Sequence, residues 1–291
     1  MSANKRSFKD RRDGTYVGDL DGMHVIMAHL LPRRTACETF LSEQIDITKI
    51  LAYLEQKNSA SAIKYTLFHV VTAAAAKMLV LRPKLNRFIS GRRYYQRQEV
   101  SLAFVVKRQF SDGGDEGLLV LPYPAEGTLD SLAEQVVAEA NKNRKGEIGE
   151  SMDAVNTLAH LPRFLLAFIV FILRILDFYG KVPGFLTSGD PNYATLFVSN
   201  LGSIKLNAGY HHLNDWGTNS LFLTVGEKHL ATFYNNEGEP ELRPALNIGF
   251  TLDERLADGY YYSRSLKLFK YLLQHPQLLE LPAQEEVSYD N

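Results

Sequence analysis

The residues that could do acid–base chemistry are concentrated near the C-terminus of the sequence. There an apolar segment, residues 245–252, runs into an acidic stretch that contains Glu254 and, four positions later, Asp258. Two adjacent histidines, His211 and His212, stand further upstream. A carboxylate or an imidazole held in a cleft can accept a proton from a nucleophile. The carboxylates and imidazoles of these two segments are therefore the groups that could do such chemistry.

The segment that begins at Asp253 reads Asp-Glu-Arg-Leu-Ala-Asp-Gly. It resembles the His-x-x-x-Asp-Gly signature of one superfamily, with Glu254 in the place of the histidine. That superfamily contains the chloramphenicol acetyltransferases and the catalytic cores of the 2-oxoacid dehydrogenase dihydrolipoamide acyltransferases. Phe197-Val-Ser-Asn-Leu-Gly202 is similar to the Ser-Asn-Leu-Gly segment of those cores. Pro32-Arg33-Arg34 is similar to the place where the family's N-terminal helix runs into its first strand, so the matches are ordered along most of the chain.

The resemblance implies a role for each of these residues. Glu254 would stand where the family's histidine accepts a proton from a thiol or hydroxyl nucleophile. Ser199 would stand where a serine hydroxyl stabilises the tetrahedral oxyanion, and Asp258 would form a structural ion pair with Arg33. Coenzyme A or an acyl-coenzyme A is then the expected substrate, with an unidentified acceptor and no covalently bound cofactor.

The replacement of histidine by glutamate carries a cost in proton transfer. A free thiol has a pKa of about 8.5 and histidine one of about 6.5, so the transfer is uphill by roughly 2.7 kcal/mol. With a glutamate at about 4.3, the same transfer is uphill by roughly 5.7 kcal/mol. The difference is about 3 kcal/mol, or about a hundredfold in rate. Burial of a carboxyl in an apolar pocket raises its pKa and reduces this penalty.

Two alternatives to Glu254 acting alone remain open. His212 lies in the segment that corresponds to the family's approach to the channel between subunits, so its imidazole could assist or replace the carboxylate. In the second alternative, Glu254 only makes a salt bridge with Arg255 or with a neighbouring subunit. The protein would then be a catalytically inactive trimeric scaffold that binds a partner, like the acyltransferase-like binding subunits that also lack the histidine.

Hydrophobic patterning predicts the elements that must position these residues. The Ala-rich periodicity of residues 65–81 predicts a packed helix, which Pro83 ends. Residues 263–274 predict the final helix, and strands are predicted at residues 93–98, 100–107, 118–122, 221–226 and 245–252. The resemblance implies an α/β fold of the chloramphenicol acetyltransferase type, a two-layer sandwich in which helices cover a mixed sheet.

The chain is expected to form one core with a polar segment at each end. Residues 1–20 are predicted to be a flexible basic N-terminal tail, and residues 21–282 the acyltransferase-like core. Residues 283–291 are predicted to be a polar C-terminal tail. Since the acyltransferase cores build cages through apolar C-terminal contacts, this polar tail favours an isolated homotrimer.

An insertion at about residues 146–190 departs from the family pattern. Within it, the ten residues 164–173 are all apolar. That number is too small to cross a bilayer, which needs about 20. A helix that is apolar on every face must be covered. We therefore expect either a helix buried in the protein or at a subunit contact, or a contact of Phe164–Leu173 with a membrane surface or an apolar ligand.

The composition argues against several other classes of protein. A hydrophobic fraction of 45%, a charged fraction of 22% and a formal net charge of −1 are typical of a globular protein and do not indicate nucleic-acid binding. The single cysteine, Cys37, excludes an intramolecular disulfide, and no third ligand accompanies His211 and His212, so no metal is expected. The first residues are polar and basic with no apolar stretch behind them, so we expect a cytoplasmic location.

Overall fold

A mixed sheet forms the centre of the computed structural model, which describes residues 7–107, 116–144, 159–187 and 189–289. The strands are β1 (Thr15–Tyr16), β2 (Glu38–Asp46), β3 (Arg87–Ser90), β4 (Arg93–Gln96), β5 (Val100–Lys107), β6 (Glu116–Tyr123), β7 (Leu196–Asn200), β8 (Leu221–Tyr234) and β9 (Pro240–Asp253). Six of them form one sheet in the order β2-β9-β8-β7-β5-β6. In it β7 runs parallel to β5 and β8, and the other neighbours are antiparallel.

Seven α-helices lie in the described ranges, and several of them pack against this sheet. They are α1 (Gly22–Leu30), α2 (Thr48–Ser59), α3 (Leu67–Leu81), α4 (Leu129–Arg144), α5 (Arg163–Phe178), α6 (Gly184–Thr187) and α7 (Gly259–Gln274). None of the described helices is long and apolar enough to cross a membrane. The predicted α/β fold with helices on a mixed sheet is confirmed.

Helix α3 lies at the centre of the helical layer. Its residues 73–76 are four alanines, all fully buried, so no large side chain holds the helix away from its neighbours. The Thr66 side chain and the His69 ring form a capping box at its start. Residues 65 and 66 therefore precede the helix, which is two residues shorter than the sequence predicts. The helix ends at Leu81, before Arg82 and Pro83, as the sequence predicts.

A small second sheet holds part of the predicted N-terminal tail. Strands β1, β4 and β3 pair in that order, and Phe88 stacks on Tyr95 with ring centroids 5.3 Å apart. Arg11 is buried, and its guanidinium donates hydrogen bonds to Ser90 Oγ at 2.7 Å and Asp177 O at 2.8 Å. Residues 10–17 thus include buried residues, among them Arg11 and Gly14, although Arg12 and Thr15 are exposed.

The division of the chain into tail, core and insertion stays a prediction. Residues 1–6 of the predicted N-terminal tail and residues 290–291 of the predicted C-terminal tail lie outside the described residues. So do residues 145–158 and residue 188, which fall almost entirely in the predicted insertion.

The hairpin of β8 and β9 is longer than the sequence predicts. Beyond a β-bulge between Val225 and Lys228, β8 continues to Tyr234, and β9 returns from Pro240. We call these two paired extensions the arm. On this arm Leu230 is 68% exposed and Leu242 72% exposed. The patterning missed the arm because its side chains do not alternate between an apolar core and water.

Candidate active site

A buried carboxylate fixes the turn that carries Glu254. Asp253, the last residue of β9, is 0% exposed. Its carboxylate accepts hydrogen bonds from Arg255 Nε at 2.8 Å and Nη2 at 2.6 Å, and Arg34 Nε lies 3.9 Å away. Two guanidinium groups thus compensate one buried negative charge. The next three residues, Glu254–Leu256, form a single turn of 3₁₀ helix that this ion cluster holds in place.

The two arginines respond differently to the same carboxylate. Burial lowers the pKa of Arg34, and the charge of Asp253 only partly opposes that effect. Burial also acts to lower the pKa of Arg255, but its hydrogen bonds and ion pair with Asp253 outweigh burial, and the pKa is raised. Arg255 is therefore the strong partner of Asp253, and Arg34 closes the cluster from the other side.

Glu254 points out of this turn into an open groove. Its backbone N–H donates to Cys37 O at 2.9 Å, and its Oε2 accepts a hydrogen bond from Thr39 Oγ1 at 3.3 Å. The side chain is exposed. The described residues do not enclose Glu254 in an apolar pocket, and its carboxylate faces the open groove.

The groove runs between β2 and α7 and has a volume of about 540 Å³. Its apolar lining includes Leu41, Tyr262 and Leu266, and Tyr262 donates from its hydroxyl to Asp253 O at 2.7 Å. Two lysines of α7 also line it. Lys270 pairs with Glu43 at 3.0 Å, whereas Lys267 is exposed and makes no ion pair with any residue in the described ranges. The groove thus joins a carboxylate, an apolar wall and a free cation.

Sequence reasoning missed Thr39 and Lys267 as members of this site. The signal for Lys267 was present, since residues 263, 267 and 270 lie on one face of a helix at i, i+4 and i+7. Thr39 had no such signal, because only the pairing of β2 with β9 brings it beside Glu254.

Ser199 lies near the C-terminal end of β7, away from the end of the sheet that carries Glu254. In the register of the strands it faces Thr224, which in turn faces Gly249. Glu254 is five residues beyond Gly249, or about 16 Å along the strand at about 3.3 Å per residue. The structure therefore does not bring Ser199 and Glu254 together within one chain. The Ser199 side chain is half-buried and, among the described residues, has no hydrogen-bond partner, so its hydroxyl remains available as a donor.

The histidine segment, residues 207–216, crosses the sheet between these two ends. Thr224 Oγ1 donates a hydrogen bond to Gly209 O, and the ring of His211 stacks on Phe222 with centroids 4.2 Å apart. The Leu213 N–H donates to the carboxylate of Glu38, whose strand partner is Asp253. The segment therefore reaches the end of the sheet that carries Glu254.

His212 is exposed on this segment, with Nδ1 2.8 Å from Leu213 O. A nitrogen so close to a carbonyl oxygen must donate, which leaves Nε2 of the neutral ring as an acceptor. That is the tautomer a proton acceptor requires. His212 can thus act as a base, although the structure records no contact between it and Glu254.

Arg33 and Asp258 are not brought together. The Asp258 carboxylate caps α7 and accepts a hydrogen bond from the Tyr261 N–H at 2.8 Å, which lowers the pKa of Asp258. Arg33 is exposed, and the buried neighbour Arg34 occupies the ionic position instead. The predicted ion pair is thus replaced by one between Arg34 and Asp253, because the turn of 3₁₀ helix after Arg33 directs the second arginine inward.

Comparison with known proteins gives the fold a name. No family model matches the chain, and a search of curated proteins finds no significant match. Among solved structures, a probable dihydrolipoamide acetyltransferase from Listeria monocytogenes 4b F2365 matches with a TM-score of 0.59 and 14% identity over 90% of this chain and 95% of that chain. A chloramphenicol acetyltransferase matches with a TM-score of 0.52 and 12% identity over 90% and 98%. The chain has a chloramphenicol acetyltransferase-like fold.

The predicted structural resemblance is therefore confirmed at the level of fold. A dihydrolipoamide acetyltransferase from Azotobacter vinelandii is similar as well, with a TM-score of 0.60 and 16% identity over 92% of this chain and 95% of that chain. In that protein a serine, a histidine and an asparagine four positions after the histidine have been studied for their roles in catalysis. In the present chain Asp258 stands four positions after Glu254.

Proposed function

We propose that this chain is an acyltransferase that moves an acyl group between coenzyme A and a thiol or hydroxyl acceptor, with Glu254 as the proton acceptor. The observation that carries the proposal is the Asp253 ion cluster, which holds the Glu254 turn at the rim of the groove. Preorganisation of this kind is what a catalytic base requires.

The groove has the size and lining for an acyl thioester. About 540 Å³ falls in the range of small-molecule sites, roughly 300–1,000 Å³. The apolar wall formed by Leu41, Tyr262 and Leu266 would contact the pantetheine arm and the acyl chain. Lys267, the free cation of the groove, would meet a phosphate of coenzyme A.

The site would be completed by a second copy of the chain in a homotrimer. Ser199 is too far from Glu254 to act on the same thioester within one chain. A neighbouring copy that covers the groove could supply Ser199 and would also shield Glu254 from water. His212, at the same end of the sheet as Glu254, would assist as a second base.

The proposed reaction keeps protons and electrons balanced. Glu254 takes the proton of the acceptor's thiol or hydroxyl as the sulfur or oxygen bonds to the thioester carbonyl carbon. The Ser199 hydroxyl donates a hydrogen bond to the resulting oxyanion. The intermediate then collapses, the carbon–sulfur bond to coenzyme A breaks, and the leaving thiolate recovers the proton from Glu254.

Turnover of a panel of short acyl-coenzyme A thioesters with thiol and hydroxyl acceptors tests the proposal. Glu254→Gln should lower kcat by about a hundredfold or more, whereas Glu55→Gln, an exposed glutamate on α2, should leave it unchanged. Coenzyme A should still raise the melting temperature of Glu254→Gln. Unchanged turnover in Glu254→Gln would show that another residue is the base. No turnover and no stabilisation by coenzyme A would favour the inactive scaffold.

A further inference from the structure

Helix α5 exposes a continuous apolar face to solvent. Phe164 is 78% exposed, Phe168 61%, Phe171 59% and Phe178 45%. These residues are spaced at i, i+4, i+7 and i+14, so they lie along one side of the helix. With Leu165 and Ile175, which are 37% and 41% exposed, they form what we call the α5 apolar face. The described part of the chain thus leaves this side of the helix uncovered.

The opposite side of α5 is attached to the core, mainly at its C-terminal end. Asp177 is buried there, and its Oδ1 accepts a hydrogen bond from the Tyr193 hydroxyl at 2.8 Å. Its backbone oxygen accepts hydrogen bonds from Arg11 and Ser90. A Cβ at Gly91 would lie 2.3 Å from the Phe178 carbonyl oxygen, and the positive φ of +57° also suits glycine. These contacts fix which side of α5 faces outward.

The exposed charges of α5 are all positive. Arg163 and Arg174 are eleven residues apart, which places them only about 20° apart around a helix with 3.6 residues per turn. They therefore share one flank, beside the α5 apolar face. Asp177, the single acidic residue of the helix, is buried on the other side. Lys181, just after the helix, is exposed as well.

Positive charge continues from this flank into the body of the protein. Arg174 lines a cavity of about 460 Å³ together with Arg33 and Arg255. The two acids of that cavity, Asp177 and Asp215, are already hydrogen-bonded within the chain. Arg33 and Arg174 have no ion-pair partner in the described part of the chain. A surface that approaches α5 thus meets an apolar stripe bordered by free guanidinium groups.

We propose that α5 docks this protein on the surface of a membrane that contains anionic phospholipids. At about 1.5 Å per residue its 16 residues span about 24 Å, too little to cross a hydrocarbon core of about 30 Å. A helix with one apolar face and flanking cations instead lies in the interface, with aromatic side chains below the headgroups and arginines against the phosphates. Exposed acidic residues, which would be repelled there, are absent from α5 among its described residues.

A second copy of the chain fits this face less well. Two α5 helices packed face to face would bring the Arg163 and Arg174 flanks of both copies to the edges of one contact, with no acidic residue of either helix to pair with them. The proposal is also independent of acyl transfer, because docking needs no turnover. Vesicle binding by a protein with no transferase activity would reject the proposed function and leave this inference intact.

Flotation of the full chain with lipid vesicles tests the proposal. Phosphatidylcholine vesicles with about one-third phosphatidylglycerol should bind the protein, and pure phosphatidylcholine vesicles should bind it at least tenfold more weakly. The triple variant Phe164→Ser, Phe168→Ser and Phe171→Ser should lose at least tenfold in affinity for the anionic vesicles. Arg163→Gln combined with Arg174→Gln should lose about 25-fold, since each arginine near such a surface contributes about fivefold.

A matched control comes from the arm of β8 and β9. Leu230→Ser, Tyr234→Ser and Leu242→Ser remove three apolar side chains that are 68–72% exposed, and vesicle binding should not change. As a second readout, the added indole in Phe168→Trp should shift its emission to the blue on binding. The emission of this indole should also be quenched by lipids brominated in their acyl chains. The contribution of Trp216 is removed by subtracting the spectrum of the wild-type protein.

Three results would overturn the proposal. The first is wild-type protein that stays in solution with both kinds of vesicle. The second is equal loss of binding in the arm control, which would indicate nonspecific adhesion. The third is that the phenylalanine substitutions dissociate the oligomer, as seen by light scattering, while wild-type protein binds no vesicles. In that case α5 would be a contact between copies.

Discussion

The ion cluster at Asp253 makes a quantitative prediction about Asp253→Asn. The substitution preserves shape but removes a carboxylate that is 0% exposed and accepts three hydrogen bonds from Arg255, two from the guanidinium and one from the backbone N–H. Arg34, which is 4% exposed, loses its neighbouring charge at the same time. Removing one partner of a buried ion pair costs about 3–5 kcal/mol, because the remaining charge is left uncompensated. We expect Asp253→Asn to lower the free energy of unfolding by that amount.

Urea denaturation at neutral pH, followed by circular dichroism, measures this loss. A matched control is Asp215→Asn, an exposed aspartate that accepts hydrogen bonds from Thr35, for which we expect a loss below about 1 kcal/mol. A double-mutant cycle of Asp253→Asn with Arg34→Met separates the interaction of the pair from other effects. The loss in Asp253→Asn should shrink in the Arg34→Met background. A loss below about 1 kcal/mol in the single variant would refute the view that this cluster holds the Glu254 turn.

Three further predictions concern pH, the groove and the histidine segment. Burial acts to raise the pKa of Asp13, but the hydrogen bond and ion pair with Arg11 outweigh burial, and the pKa is lowered. The ionised Asp13 carboxylate therefore stabilises the fold at neutral pH, and this stabilisation is lost as the pH falls below about 4. In Asp13→Asn, the urea midpoint should depend less steeply on pH on the acid side. Lys267→Gln should raise KM for the acyl-coenzyme A several-fold and leave kcat unchanged, which steady-state kinetics can show; an equal fall in kcat would contradict the phosphate role. A Cβ at Gly249 would lie 2.3 Å from Gly209 O, so Gly249→Ala should lower the free energy of unfolding by about 1–3 kcal/mol, and an unchanged urea midpoint would count against this packing.

Much of the fold could be predicted because its elements carry strong local patterns. The strand at residues 100–107 has the predicted bounds, and the helix ends at Leu81 as predicted, since both segments are rich in apolar residues and proline marks the helix end. The exposed arm of β8 and β9 could not be predicted, because neither of its faces is buried. Strand β1 was missed for a different reason: two residues are too few for a periodic signal, and its pairing with β4 and the buried contacts of Arg11 hold that segment in place.

The candidate site was predictable as a motif but not as a set of contacts. The spacing of Glu254 and Asp258 points to this turn, whose role in catalysis stays a prediction. The residue that anchors the turn is Asp253, which no periodicity distinguishes from its neighbours. Likewise, the choice between Arg33 and Arg34 depends on one turn of 3₁₀ helix, which a sequence does not specify. Contacts between residues distant in the chain, such as Thr39 with Glu254, require the strand register and so become visible only in the structure.

The central claim is that Glu254 of one chain and Ser199 of the next act on the same thioester. Mixed oligomers made by co-refolding equal amounts of Glu254→Gln and Ser199→Ala test it directly, because in a trimer about one quarter of the sites would then pair an intact Glu254 with an intact Ser199. We predict that transferase activity returns to about one quarter of the wild-type level, although each variant alone is nearly inactive. Activity in the mixture no higher than that of the separate variants would contradict a site shared between two chains.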